Sequence, residues 1–205
     1  MNSTKTTYGG VIVAIMLSIV WMLVTATLST LGFYEYQRND SHISVIITVL
    51  TPTVFFAMLY VFFPAIKSWT RNLSLAMLTL PHAWRTVGFT FLALWFYEIL
   101  PAGFAAPAGF GDFVIAIAAP FIAVSLWLKW SGAIRYALWF NILGLLDLFF
   151  ALLTGMTGFG VPIERMVDID PMTAFPMVII PAVFVPLLVL AHVISLVKIV
   201  TEPRF

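Results

Sequence analysis

The chain has 205 residues, of which 62 % are hydrophobic and only 9 % charged, and its formal net charge is +1. A soluble globular domain has roughly 45–50 % apolar and about 25 % charged residues, so the composition excludes an ordinary soluble fold. The absence of cysteine excludes disulfides, thiolate nucleophiles and sulfur-ligated metal centres. We expect a single transmembrane domain over residues 1–205, without a soluble module.

The apolar runs predict six membrane spans. A helix crosses a bilayer with about 20 mostly apolar residues. The first run follows Lys5 and is too long for an ordinary signal peptide, which indicates a retained helix. The run 73–80 is too short to cross, and we expect an interfacial turn there. The predicted fold is an all-α, polytopic transmembrane helix bundle with spans at approximately 8–31, 42–66, 82–100, 111–130, 136–154 and 173–200.

The basic residues predict the orientation of these spans, because lysine and arginine in short loops favour the cytoplasmic side. Only Arg38 and Arg165 fall in the loops that follow the first, third and fifth spans. The other eight basic residues lie at or near the opposite ends of the spans: Lys5, Lys67, Arg71, Arg85, Lys129, Arg135, Lys198 and Arg204. Both termini are therefore predicted to be cytoplasmic. Most acids fall in the outer loops, where they either accompany an external surface or form a vestibule that concentrates cations.

Residues 101–112, PAGFAAPAGFGD, separate the third and fourth predicted spans. Proline and glycine at this density predict a tight outer turn. Asp112 would then cap the fourth helix, because a carboxylate at a helix start accepts backbone N–H bonds. The alternative is a re-entrant segment over a water-filled cavity.

Acidic residues inside the spans are candidates for a site, because buried charge in a membrane is costly and seeks partners. Asp147 is predicted near mid-membrane, on a stripe with Asn141 and Gly144, whose missing side chain permits close helix approach. Glu98 lies near the outer end of the third span. It either reaches water or turns inward to join Asp112 and Asp147 in a cluster that binds a cation or shares protons.

A second polar set is predicted toward the inner side. Arg85 either snorkels to lipid phosphate or pairs inward with an acid or an anionic ligand. His82 and His192 on separate helices are the minimum for a bis-histidine haem b site, although a histidine inside a membrane is more often a hydrogen-bonded packing residue. The candidate ligand-binding or ion-binding residues are Asp147, Asn141, Glu98, Asp112, Arg85 and His192.

Several short segments resemble a family of small bacterial multi-pass membrane proteins with no known activity. They are PAGFGD and AAP near the fourth span, N-x-x-G-x-x-D in the fifth, and AFP, IP and VP with His192 in the sixth. The resemblance covers approximately residues 80–197. It implies a bacterial inner-membrane location and supplies no catalytic residue.

No hydrolase, phosphate-binding or ordered metal-ligand motif is present in the sequence, and no basic patch suits nucleic acid. The leading hypothesis is a non-enzymatic membrane protein that binds or transports a small ligand or ion through a polar interior. Two alternatives remain open: a redox protein associated with haem b or a quinone, and an accessory subunit of a larger membrane complex.

Overall fold

We obtained the structure of the protein as a computed structural model, which describes residues 2–34, 43–157 and 171–201. All regular structure in these ranges is helical, which confirms the all-α class. The outer-loop acids and the loop arginines Arg38 and Arg165 lie outside the described residues. The helices are α1 (Asn2–Thr30), α2 (Ile43–Phe62), α3 (Pro64–Asn72), α4 (Leu75–Thr79), a 3-10 helix (Leu80–Gly88), α5 (Phe89–Phe96), α6 (Ala102–Trp127), α7 (Ala133–Thr157), a π-helical turn (Ile180–Phe184) and α8 (Val185–Thr201).

Among the described residues, four stretches of helix are long and apolar enough to cross a membrane: Gly9–Thr30, Ala102–Trp127, Ala133–Gly155 and Ile180–Thr201. Ile46–Phe62 and Pro64–Asn72 form a fifth candidate if the two are one span, although they are bent by 106°. These apolar helices are compatible with insertion into a membrane. The count of six spans and the cytoplasmic termini stay predictions.

The chain folds into two compact units, and the single domain over residues 1–205 stays a prediction. The first unit contains Met1–Ser74 and Met172–Leu187. In it, the indole Nε1 of Trp21 on α1 donates a hydrogen bond to the carbonyl of Ala182 in the π-helical turn, at 2.8 Å. The second predicted span was expected to continue to residue 66, but α2 ends at Phe62. The break follows from the extended backbone of Phe63, which precedes Pro64 at the start of α3.

The second unit contains Leu75–Pro171 and Leu188–Phe205, and α6 packs in it against α4, the 3-10 helix, α5 and α7. Its core is built partly from small side chains. Ala105, Ala119 and Ala137 are fully buried, which lets the helix backbones approach closely. The third predicted span is the 3-10 helix followed by the short α5, and α4 occupies most of the run predicted as an interfacial turn.

The predicted turn at residues 101–112 is wrong. Pro101 caps a helix that begins at Ala102, and Pro107 lies inside that helix. The glycines serve helix packing instead of chain reversal. A Cβ at Gly109 would collide with Leu92, and one at Gly111 would collide with Asp147. Because Asp112 lies well inside α6, it is not a helix cap, and this segment is not a non-helical re-entrant loop.

Candidate functional site

The 3-10 helix places three buried residues on one face. A 3-10 helix has three residues per turn, so side chains at positions i and i+3 eclipse one another. His82, Arg85 and Gly88 follow this spacing, and all three are buried. Runs of 3-10 helix longer than three or four residues are uncommon. The 3-10 helix at Leu80–Gly88 has nine residues, so it aligns the His82 ring, the Arg85 guanidinium and the side-chain-free position of Gly88 on the side that packs against α6, α7 and α8.

Arg85 forms ion pairs with two carboxylates on different helices. Its Nε donates to Asp112 Oδ1 on α6 at 2.6 Å, and its Nη2 donates to Asp147 Oδ2 on α7. Its Nη1 donates to the carbonyl of Gly144 at 3.3 Å. We call Arg85, Asp112 and Asp147 the ion triad. The structure thus pairs Arg85 inward, which was one of the two alternatives drawn from the sequence.

The members of the ion triad differ in their access to the surface. The Arg85 side chain is 1 % exposed, whereas those of Asp112 and Asp147 are 15 % and 19 % exposed. Each carboxylate has one oxygen bound to Arg85 and a second oxygen without a hydrogen-bond partner among the described residues. With both acids ionised, the triad has a formal charge of −1.

Two glycines make room for these carboxylates. A Cβ at Gly88 would lie 2.8 Å from the second oxygen of Asp112, and a Cβ at Gly111 would overlap the second oxygen of Asp147. Both distances are too short for an ordinary contact. The absence of side chains at these two positions therefore lets the second oxygens pack against the backbones of the 3-10 helix and α6.

A pair of histidines lies beside the ion triad. The rings of His82 and His192 stack with centroids 3.8 Å apart and an interplanar angle of 25°, and His82 and Phe140 form a T-shaped pair with centroids 5.5 Å apart. Both histidines are fully buried. Neither ring nitrogen of His82 has a hydrogen-bond partner among the described residues, and neither has Nε2 of His192. We call these two residues the histidine pair.

Asn141 fixes the protonation of His192. The Asn141 side-chain amide donates to the carbonyl of Ala137 at 2.7 Å, which leaves Oδ1 as the acceptor for His192 Nδ1 at 2.8 Å. The proton of a neutral His192 ring therefore lies on Nδ1, and Nε2 is an acceptor. Gly144 connects this group to the ion triad, because its carbonyl binds Arg85 and a Cβ there would overlap the His192 ring.

The stacked geometry of His82 and His192 does not fit the haem interpretation, which stays a prediction. Two histidines that ligate haem iron lie on opposite faces of the macrocycle, with the iron between their ring nitrogens. Rings that stack face to face at 3.8 Å leave no space for the macrocycle. Among the described residues, no group of three or more histidines and acids is placed to hold a metal ion.

The structure brings together five of the six predicted site residues and leaves out Glu98. That residue lies in the exposed turn after α5 with a φ of 58°, outside the ion triad. The expected three-acid cluster is therefore a two-acid group with an arginine at its centre. Asn141 binds His192 and does not contact the carboxylates.

Sequence reasoning missed the contribution of the 3-10 helix and of Gly88 and Gly111. The pattern H-x-x-R-x-x-G over residues 82–88 has the same period of three as N-x-x-G-x-x-D in α7. That period was the available signal. In a continuous α-helix residues 82, 85 and 88 would be separated by 60° at each step of three, whereas the 3-10 helix aligns them.

Residues 42–200 match a protein family described as a domain of unknown function, DUF8737, and the chain belongs to this family. The matched range includes the ion triad, the histidine pair and Asn141. No curated protein and no solved structure matches the chain.

Proposed function

We propose that this is an integral membrane protein that binds a small cation, a proton being the smallest, at the second oxygens of Asp112 and Asp147. The sharing of one arginine between two carboxylates is the observation that carries the proposal. A buried charge without compensation is costly in a low-dielectric interior. One guanidinium neutralises only one of the two acids, so one further positive charge completes the group.

The geometry favours a cationic ligand over an anionic one. The Arg85 side chain is buried, and its donors bind the two acids and the Gly144 carbonyl. It therefore has little capacity to bind an anion. The side chains of both acids are partly exposed, and their second oxygens pack against the backbones of Gly88 and Gly111. Oxygen ligands of this kind suit hard cations.

The wider setting is part of the same proposal. The apolar runs support six spans, and the distribution of lysine and arginine supports cytoplasmic termini; the described residues contain four or five candidate spans. The resemblance to bacterial multi-pass proteins supports an inner-membrane location. A site between helices of such a bundle would serve binding or transport of the ligand, without covalent chemistry.

The test compares cation binding and flux between variants of the acids in the ion triad and a variant of an acid outside it. The purified protein would be assayed for equilibrium binding of Na⁺ and K⁺, and for ion and proton flux in proteoliposomes. We expect Asp112→Asn and Asp147→Asn each to abolish the binding or flux shown by the wild type. Glu98→Gln is the matched control, since it removes an exposed acid. The proposal fails if the two triad variants behave like the wild type and the control.

A further inference from the structure

The second unit has four buried side-chain atoms without a hydrogen-bond partner among the described residues: both ring nitrogens of His82, Nε2 of His192 and the hydroxyl of Ser195. All three side chains are fully buried. A polar atom that is buried without a partner costs free energy, so native proteins pair such atoms with protein groups or with ordered water. Three residues of this kind in one unit therefore indicate a site that holds polar molecules.

Ser195 lies on the same face of α8 as His192. It follows His192 by three residues, so the two side chains lie about one turn apart, with a rise of about 4.5 Å. The two valines opposite Ser195, Val193 and Val197, are exposed. The hydroxyl of Ser195 is therefore directed into the interior of the second unit, next to the histidine pair.

Two contacts align α8 with the segment that contains α4 and the 3-10 helix. At one end the rings of His82 and His192 stack, and at the other end Leu75 and Ile199 belong to one buried apolar cluster. Leu75 precedes His82 by seven residues, and Ile199 follows His192 by seven. The two segments therefore run antiparallel and side by side between these contacts.

Thr79 and Ser195 lie between the two contacts, and both are buried. The hydroxyl of Thr79 donates to the carbonyl of Leu75 at 2.8 Å, which leaves its oxygen as an acceptor. We call Thr79, Ser195 and the histidine pair the polar file. Arg85 lies one 3-10 turn beyond His82, so the polar file reaches the ion triad at one end.

The other end of the polar file is closed by apolar side chains. Leu75, Ala137 and Ile199 are buried together, and we call these three residues the apolar layer. Four partly buried residues pack against them: Ile122, Leu126, Ile134 and Leu138. Apolar cavities stay dry, so the apolar layer separates the polar file from the end of the unit beyond it.

We propose that the polar file is a proton pathway: it holds a chain of water molecules between the ion triad and the apolar layer, and the layer is its gate. An internal water typically makes about three hydrogen bonds to buried polar groups, and hydroxyls and neutral imidazoles both donate and accept. Each member of such a chain releases one proton as it receives another, so the file is unchanged by the transfer. Apolar constrictions gate pores by excluding water. The pathway rests on the proposed function and names its cation as a proton.

NMR of the purified protein with isotope-labelled histidine tests the hydration of the polar file, because the chain has only three histidines. In the wild type, the ring signals of His82 and His192 should receive magnetisation from water. Ser195→Ala should weaken this transfer at His192. Ser125→Ala is the matched control and should not, because Ser125 is also buried but its hydroxyl donates to the carbonyl of Ile122 at 2.8 Å.

Proton leak in proteoliposomes under a pH gradient tests the gate. Ile199→Ser places a hydroxyl in the apolar layer and should raise the leak above that of the wild type. In this background Ser195→Ala should lower the leak by about tenfold, because the loss of one hydrogen-bonded step raises the barrier to proton transfer. Ser125→Ala should leave the leak unchanged.

The proposal is overturned if the wild-type rings receive no magnetisation from water, if Ile199→Ser does not raise the leak, or if Ser195→Ala changes the leak no more than Ser125→Ala. The wild-type spectrum needs no variant, so it decides where a variant fails to fold. Cation binding by Asp112→Asn and Asp147→Asn separates this result from the proposed function. A dry file with cation binding that depends on both acids refutes the pathway alone, whereas a hydrated file with unchanged binding in both variants refutes the proposed function and with it a pathway to the triad.

Discussion

The imidazole of His192 lies directly on the backbone of Gly144, where a Cβ would overlap the ring atoms Cε1 and Nε2. The carbonyl of the same glycine accepts a hydrogen bond from Arg85 at 3.3 Å. Residue 144 therefore joins the histidine pair to the ion triad. This relationship predicts that the two groups respond together when the space at residue 144 is filled.

Gly144→Ala should destabilise the protein by about 1–3 kcal/mol, because the added methyl must displace a fully buried ring in a packed interior. An alanine in a helix would otherwise stabilise by up to about 1 kcal/mol relative to glycine. Gly9→Ala on α1 is the control, since nothing lies within 4 Å of its Cβ position. Thermal unfolding in detergent measures both variants. Equal stability of Gly144→Ala and Gly9→Ala would contradict the close contact.

Arg85→Gln should cost about 3–5 kcal/mol, because it leaves two carboxylates in a partly buried site without their cation. Replacing Asp112 and Asp147 by asparagine in the same chain should restore part of that loss, since the unpaired charges are then removed. Denaturant unfolding of the single and triple variants measures the difference. A triple variant that is no more stable than Arg85→Gln would show that the ion pairs do not couple.

The histidine pair should respond asymmetrically to phenylalanine. His82→Phe removes two ring nitrogens that have no hydrogen-bond partner among the described residues, so stability should be unchanged or higher. His192→Phe removes the bond to Asn141 and leaves the buried Oδ1 unpaired, at a cost of about 1–3 kcal/mol. Thermal unfolding of both variants is the measurement. The reverse order would contradict the assignment of the hydrogen bond to His192.

Residues 102–112 should behave as helix and not as a turn. The sequence contains no cysteine, so single cysteines can be introduced and spin-labelled cleanly. Labels at the exposed positions Ala102, Phe110 and Val114 should be mobile, whereas labels at the buried positions Ala105 and Ala108 should be immobile. Uniformly high mobility across the segment would support the turn that the sequence alone suggested.

The helical class and part of the site can be predicted from the sequence, because they depend on the lengths of the apolar runs and on the spacing of polar residues along a helix. Long apolar runs mark α1, α6, α7 and α8 directly. The stripe through Asn141, Gly144 and Asp147 indicated the right helix face, but Gly144 makes room for the His192 ring and not for another helix backbone. These residues were recognisable because charge and amide groups are rare in apolar helices.

The errors have a common physical cause. Glycine and proline signal turns in soluble chains, but small residues also let helices pack closely, and interior prolines are tolerated when neighbours satisfy the freed groups. Residues 101–112 fit both descriptions. Likewise, an apolar run does not distinguish a 3-10 helix from an α-helix, so the alignment of His82 with Arg85 could not be read from hydropathy. The sequence left two positions open for Glu98, and the turn after α5 places it at the surface.

Cation-induced infrared difference spectroscopy of the purified protein tests the central claim most directly, because it detects the carboxylates themselves. The account predicts that adding the bound cation shifts carboxylate stretching bands in the wild type and in Glu98→Gln, and that the shift is lost in Asp112→Asn and in Asp147→Asn. Band shifts of equal size in all four proteins, or none in the wild type with any cation or on protonation, would contradict a binding site at the ion triad.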